Sequence, residues 1–133
     1  MFLGLRTVIY RVRDLAAAKA WYANAFGVQP YFDEPFYVGF DIGGYELGLH
    51  PYAGEMTIGN NVFAYWGVPD IASAHAHMLA QGATLHEAIQ DVGEGIKVAA
   101  VTDPFGNVVG AHREPALQGA MSTGATSAHG SRR

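Results

Sequence analysis

Glu46, His50 and His112 are the side chains whose types and spacing could support acid–base chemistry in this sequence. They sit in two similar stretches, "GYELGLH" from Gly44 to His50 and "GNVVGAH" from Gly106 to His112. Both follow the skeleton G-x-x-x-G-x-H. In an extended chain alternate residues share a face, so Glu46, Gly48 and His50 stand together, as do Val108, Gly110 and His112. On one reading the two histidines are a polar pair against a ligand, with Glu46 as a base or hydrogen-bond acceptor. On the plainer reading both histidines end their strands near solvent.

Other chemistries have less to work with. The chain has no cysteine, which removes disulfides, zinc–thiolate sites, iron–sulfur clusters and a cysteine nucleophile. His75 and His77 lie two apart on a helical stretch and point to nearly opposite sides, so they cannot chelate together. His86 has no partner in the sequence. The "GEG" at Gly93 to Gly95 reads as a turn, because no helix follows it to make a phosphate loop. Lys and Arg number 8 against 12 Asp and Glu, for a net charge of −4. The basic residues are scattered, so no stripe tracks a nucleic-acid backbone. No apolar run reaches membrane-spanning length and the first residues show no signal pattern, so a cytoplasmic protein is expected, with no membrane partner.

The elements that must position these residues come in two similar series within 133 residues. "RTVIYRV" alternates and is rich in β-branched and aromatic residues, as a strand requires. Asp14 is a helix N-cap for "LAAAKAWYANAF", whose Ala18, Trp21, Tyr22 and Ala25 share a face, and Gly27 ends that helix. A loop, the strand "FYVGFDI", a turn at Gly43–Gly44 and the strand "YELGLH" follow. The second series repeats the order: "NVFAYWGV", Asp70 capping "IASAHAHMLAQ", Gly82 as a stop, a loop, "GIKVAAVT", the turn "DPFGN" and "VVGAH". Short strands from the loops, "QPYF" and "TLHEAI", complete four strands in each series. One helix covers only one face of a sheet. The expected fold is therefore α+β: two tandem βαβββ modules, about 5–53 and 61–115, forming a curved mixed-sheet cup with the helices outside. They make a single domain over 1–115. The remainder, 116–133, is small and polar, without apolar periodicity, and is expected to be a flexible tail.

The patterns "V-x-D-L…W-Y…G", "GVPDI…GA" and "DPFGN" resemble the vicinal oxygen chelate superfamily, which includes glyoxalase I, extradiol dioxygenases, fosfomycin resistance enzymes and bleomycin resistance proteins. The resemblance spans about 5 to 115. It implies that a metal, where one is used, is held from the first and last strands of each module. By position those ligands would be Thr7, Gly48, Phe63 and Gly110. Catalytic metals take about three protein ligands with N, O or S donors. A phenylalanine and two glycines offer none, so no metal and no cofactor are expected. Thr7, Ile9, Phe63 and Tyr65 share parity with those positions and would line the same cup, Tyr65 with a hydroxyl to offer and Tyr37 and Asp41 at the rim. A glycine in a strand packs nothing, so Gly48 and Gly110 would leave room for a ligand. A metal relocated to Glu46, His50 and His112 would put each histidine roughly 7 Å along its strand from the family position.

The resulting expectation is a metal-independent small-molecule-binding protein of the glyoxalase/bleomycin-resistance type. It would sequester an amphipathic or aromatic ligand in the cup and assemble as a homodimer. The ligand contacts would be Thr7, Ile9, Glu46, Gly48, His50, Phe63, Tyr65, Gly110 and His112. The alternative is a glyoxalase- or dioxygenase-like lyase, isomerase or oxygenase, with a relocated metal or a Glu/His acid–base pair. A third reading is a domain whose cup is filled by its own side chains and which acts through protein contacts.

Overall fold

The computed structural model describes residues 1–115; the stretch 116–133, where the tail is expected, lies outside them. The chain forms two compact units, the first Met1–Thr57 and the second from Ile58 onward. Each contains one four-stranded mixed sheet with a helix on one face, the paired βαβββ pattern of an α+β fold.

In the first unit the elements are β1 (Thr7–Val12), α1 (Leu15–Phe26), β2 (Phe32–Glu34), β3 (Tyr37–Ile42) and β4 (Tyr45–Pro51), with sheet order β1-β4-β3-β2. β1 runs parallel to β4 and the other pairs are antiparallel. A parallel pair needs a long crossover, and α1 opens it. The Asp14 carboxylate starts α1 by accepting from the Ala17 N–H at 3.0 Å, and Gly27 ends it at φ 68°. Ala18, Trp21 and Tyr22 are the buried helix positions. The sheet face beneath them carries Tyr10, Val12, Val38, Phe40, Leu47 and Leu49, all buried. The Tyr10 and Tyr22 rings stack at 5.5 Å. Burying side chains of this size contributes roughly 1.5–3 kcal/mol each, so this face holds the unit together. β2 begins at Phe32, later than "QPYF" implied. Pro30 has no N–H to donate, and the first strand-like bond runs from the Tyr31 N–H to the Gly39 carbonyl.

The second unit has β5 (Ala64–Gly67), α2 (Ile71–Ala80), β6 (Thr84–Gly93), β7 (Ile96–Thr102) and β8 (Val108–Arg113), in sheet order β5-β8-β7-β6. Its helix face buries Trp66, Ile71, His75, Met78, Ala99, Val101, Val109 and Ala111. His75 is thus a core residue, while His77 on the same helix is exposed. Asp70 caps α2 through the Ser73 N–H at 3.2 Å and the Ser73 hydroxyl at 3.0 Å. In the "DPFGN" turn the buried Asp103 accepts from the Phe105 and Asn107 N–H groups, each at 2.8 Å. β6 extends well beyond "TLHEAI", replacing the loop expected before β7. Gly93, Glu94 and Gly95 all have positive φ, and this turn lets β6 fold directly back onto β7. No helix among the described residues is long and apolar enough to cross a membrane.

Candidate functional site

The sheet face opposite α1 carries the polar residues of the first unit. Strand register sets Thr7 beside Glu46, Ile9 beside Gly48 and Arg11 beside His50. It also sets Asp41 beside Glu46 and Gly39 beside Gly48. Glu46 is the centre of this face. Its Oε1 accepts from the Tyr37 hydroxyl at 2.9 Å, and its Oε2 accepts a short hydrogen bond from the Tyr31 hydroxyl. Hydrogen bonds to a charged group contribute about 1.5–3 kcal/mol each, so two phenols fix the carboxylate's orientation. Tyr31 was not singled out from sequence. It precedes β2, outside the strand alternation, and only the tertiary fold swings its ring over Gly39 to reach Glu46.

Tyr37 holds its proton above the usual phenol range. Burial is the first cause, and the hydrogen bond to Glu46 and that carboxylate's charge add to it. Thr7 opposes the shift in part. The Thr7 Oγ1 is buried and makes no hydrogen bond of ordinary geometry, yet it lies near enough to favour the phenolate. Tyr37 is therefore a neutral donor at physiological pH, and Glu46 the charged acceptor.

Gly48 is not open space. A Cβ there would collide with the Tyr37 hydroxyl and ring edge. Gly39 is covered likewise, since a Cβ would stand 2.9 Å from Glu46 Oε2 and 3.1 Å from the Tyr31 ring. These glycines admit the two tyrosines onto the sheet. His50 belongs to a different end of the face, four residues and roughly 13 Å along β4 from Glu46. Its Nδ1 is buried without a hydrogen-bond partner, and its ring lies 6.4 Å from that of Tyr52. The Arg11 guanidinium sits 4.2 Å over the same Tyr52 ring. Glu46 and His50 are not brought together as an acid–base pair.

The second unit repeats the covered glycine. Tyr65 is beside Gly110 in the register, and a Cβ at Gly110 would lie 2.6 Å from the Tyr65 ring and 2.8 Å from the Ala64 carbonyl oxygen. The Phe63 ring is 6.1 Å from that of Tyr65 and 5.2 Å from that of His86. The His86 Nδ1 lies 3.5 Å from the Thr102 hydroxyl, a partner that the sequence did not reveal. His112 lies 6.4 Å from the Tyr65 ring. This face gathers Phe63, Tyr65, Gly110 and His112.

A model of the Glyoxalase/Bleomycin resistance protein/Dioxygenase superfamily matches residues 4–110. The chain belongs to this superfamily. Solved structures agree with that membership at the level of fold. A glyoxalase-related enzyme from Fulvimarina pelagi is 17% identical at a TM-score of 0.70, the match covering 86% of this chain and 90% of that one. The fosfomycin resistance protein FosX from Listeria monocytogenes is 16% identical at a TM-score of 0.71, with 85% and 94% covered. TioX from Micromonospora sp. ML1 is 19% identical at a TM-score of 0.63, with 83% and 94% covered. No curated protein matches the chain.

The superfamily's metal does not fit the positions that would hold it. Gly48 and Gly110 supply no donor and are covered by tyrosines, Phe63 supplies none, and Thr7 supplies a single hydroxyl. Among the described residues, no group of three or more His, Asp or Glu is placed to hold a metal ion.

Proposed function

We propose that this superfamily member is a metal-independent small-molecule-binding protein, and that the ligand docks on the open face of the first sheet around Glu46. The observation that supports this reading is the carboxylate held by Tyr31 and Tyr37 beside exposed aromatic rings. A few fixed polar groups among aromatic surface orient a ligand while the rings cover it. Ile9 and Thr7 extend that face. The face of the second unit's own sheet, with Phe63, Tyr65 and His112, is proposed as a separate contact surface, and His50 as a contact at the far end of β4. We further propose a homodimer, because sheet edges such as β6 expose unpaired strand backbone that invites a partner.

The enzyme reading gains less. Both Glu46 carboxylate oxygens are already engaged by phenols, and the Tyr37 proton is held more tightly than usual. A ligand-observed NMR screen of a metabolite and antibiotic library against metal-stripped protein tests the proposal. The expected result is binders whose contacts map to Tyr31, Tyr37 and Glu46. Binders that map only to other surfaces would refute it.

A further inference from the structure

Resting on that reading, we infer the ligand class: the Glu46 face takes an aromatic or heteroaromatic compound bearing a protonated amine. The inference follows from the direction of the hydrogen bonds. Each phenol has one proton to donate, and both protons are directed at Glu46. What the cluster then offers a ligand is oxygen lone pairs, a negative charge and ring faces. A carboxylate or phosphate ligand would meet acceptors and like charge. A ligand that donates N–H and carries positive charge meets complementary groups at each of them.

The rings point to the same chemistry. Tyr31 is 61% exposed, Phe32 38% and Phe36 63%. They are not scattered. Phe32 contacts Phe36 at 5.9 Å edge-on and Tyr37 at 6.2 Å, so an aromatic strip runs from Phe36 through Phe32 and Tyr37 to Glu46. Contiguous exposed apolar surface of this kind marks a binding site more often than chance. Aromatic faces attract cations through the ring quadrupole, and the strip also gives a flat ligand ring something to stack on. Length is consistent: the strip leads toward the carboxylate, so ring and ammonium would be engaged by one molecule with a short spacer.

Three indoles that differ only in the side-chain end group test this: tryptamine, indole-3-ethanol and indole-3-acetate, titrated into metal-stripped protein and followed by amide shifts. Tryptamine is expected to bind at least tenfold more tightly than either, with shifts at Tyr31, Phe32, Tyr37 and Glu46. Glu46→Gln should remove most of that preference, its folding checked by melting. Tyr31→Ala, at an exposed position, should weaken tryptamine severalfold, whereas Tyr31→Phe, which keeps ring and carboxylate, should change it about twofold or less. Equal or tighter binding of the neutral or anionic indole at these residues would overturn the amine class while leaving the site reading intact. No shift at these residues with any of the three would also overturn the class. The library screen judges the site separately, through where its own binders map.

Discussion

Tyr37 lies across Gly48, its hydroxyl occupying the space in which a side chain at residue 48 would begin, and from there it donates to Glu46 at 2.9 Å. Tyr65 lies across Gly110 in the same way. The two glycines therefore serve a packing role that a ligand-sized gap would not require. In each unit a tyrosine from a neighbouring strand fills the space above a strand glycine.

Enlarging the two glycines should have unequal effects. At Gly110 a methyl meets the Ala64 carbonyl oxygen at 2.8 Å, and strand backbone cannot swing aside. Gly110→Ala should cost about 1–3 kcal/mol, the usual range for overpacking. At Gly48 the nearest atoms all belong to the Tyr37 side chain, which can move at the loss of its bond to Glu46. Gly48→Ala should thus cost less, and less again in a Tyr37→Ala background. Chemical denaturation of the four variants measures this, and equal losses for the two glycines would contradict it.

The raised Tyr37 proton affinity predicts an alkaline loss of stability. A folded value above the unfolded one means that the native state holds more protons once pH approaches 10. This contribution is complete below the ordinary phenol value of 10.0 and is lost as pH rises through the higher folded value. Melting curves across this window should fall less steeply for Tyr37→Phe than for the native chain. A parallel fall in both would show that Tyr37 is not the group responsible.

Removing the Asp103 carboxylate should damage the second unit. It is buried and accepts from two backbone N–H groups at 2.8 Å. Asp103→Ala leaves those donors unsatisfied and should cost about 2–3 kcal/mol. Asp103→Asn, which keeps one acceptor oxygen, should cost less. Denaturant midpoints for the pair check the order.

Much of the fold was legible because it rests on local signals. Asp14 and Asp70 announced their helices, Gly27 announced an end, and the alternation of "RTVIYRV" announced the first strand. β6 was read too short because its sequence, "TLHEAIQDVG", is mostly exposed on an edge and lacks apolar alternation. The site was less legible. Glu46 was visible as a polar residue among apolar ones, and Tyr37 only as a rim residue. Tyr31 carried no signal, since its reach to Glu46 depends on tertiary pairing of β2 with β3. The glycines misled, because a sequence cannot tell space left for a ligand from space filled by a tyrosine.

The most direct measurement is the affinity of a binder from the library screen, titrated calorimetrically into protein stripped of metal and again into protein reloaded with zinc, nickel, manganese or iron, beside Glu46→Gln. Affinities within about twofold are expected with and without metal, and at least a tenfold loss in Glu46→Gln, roughly the 1.4 kcal/mol of one charge-assisted contact. Binding that appears only after metal is restored, or that Glu46→Gln leaves unchanged, would contradict it.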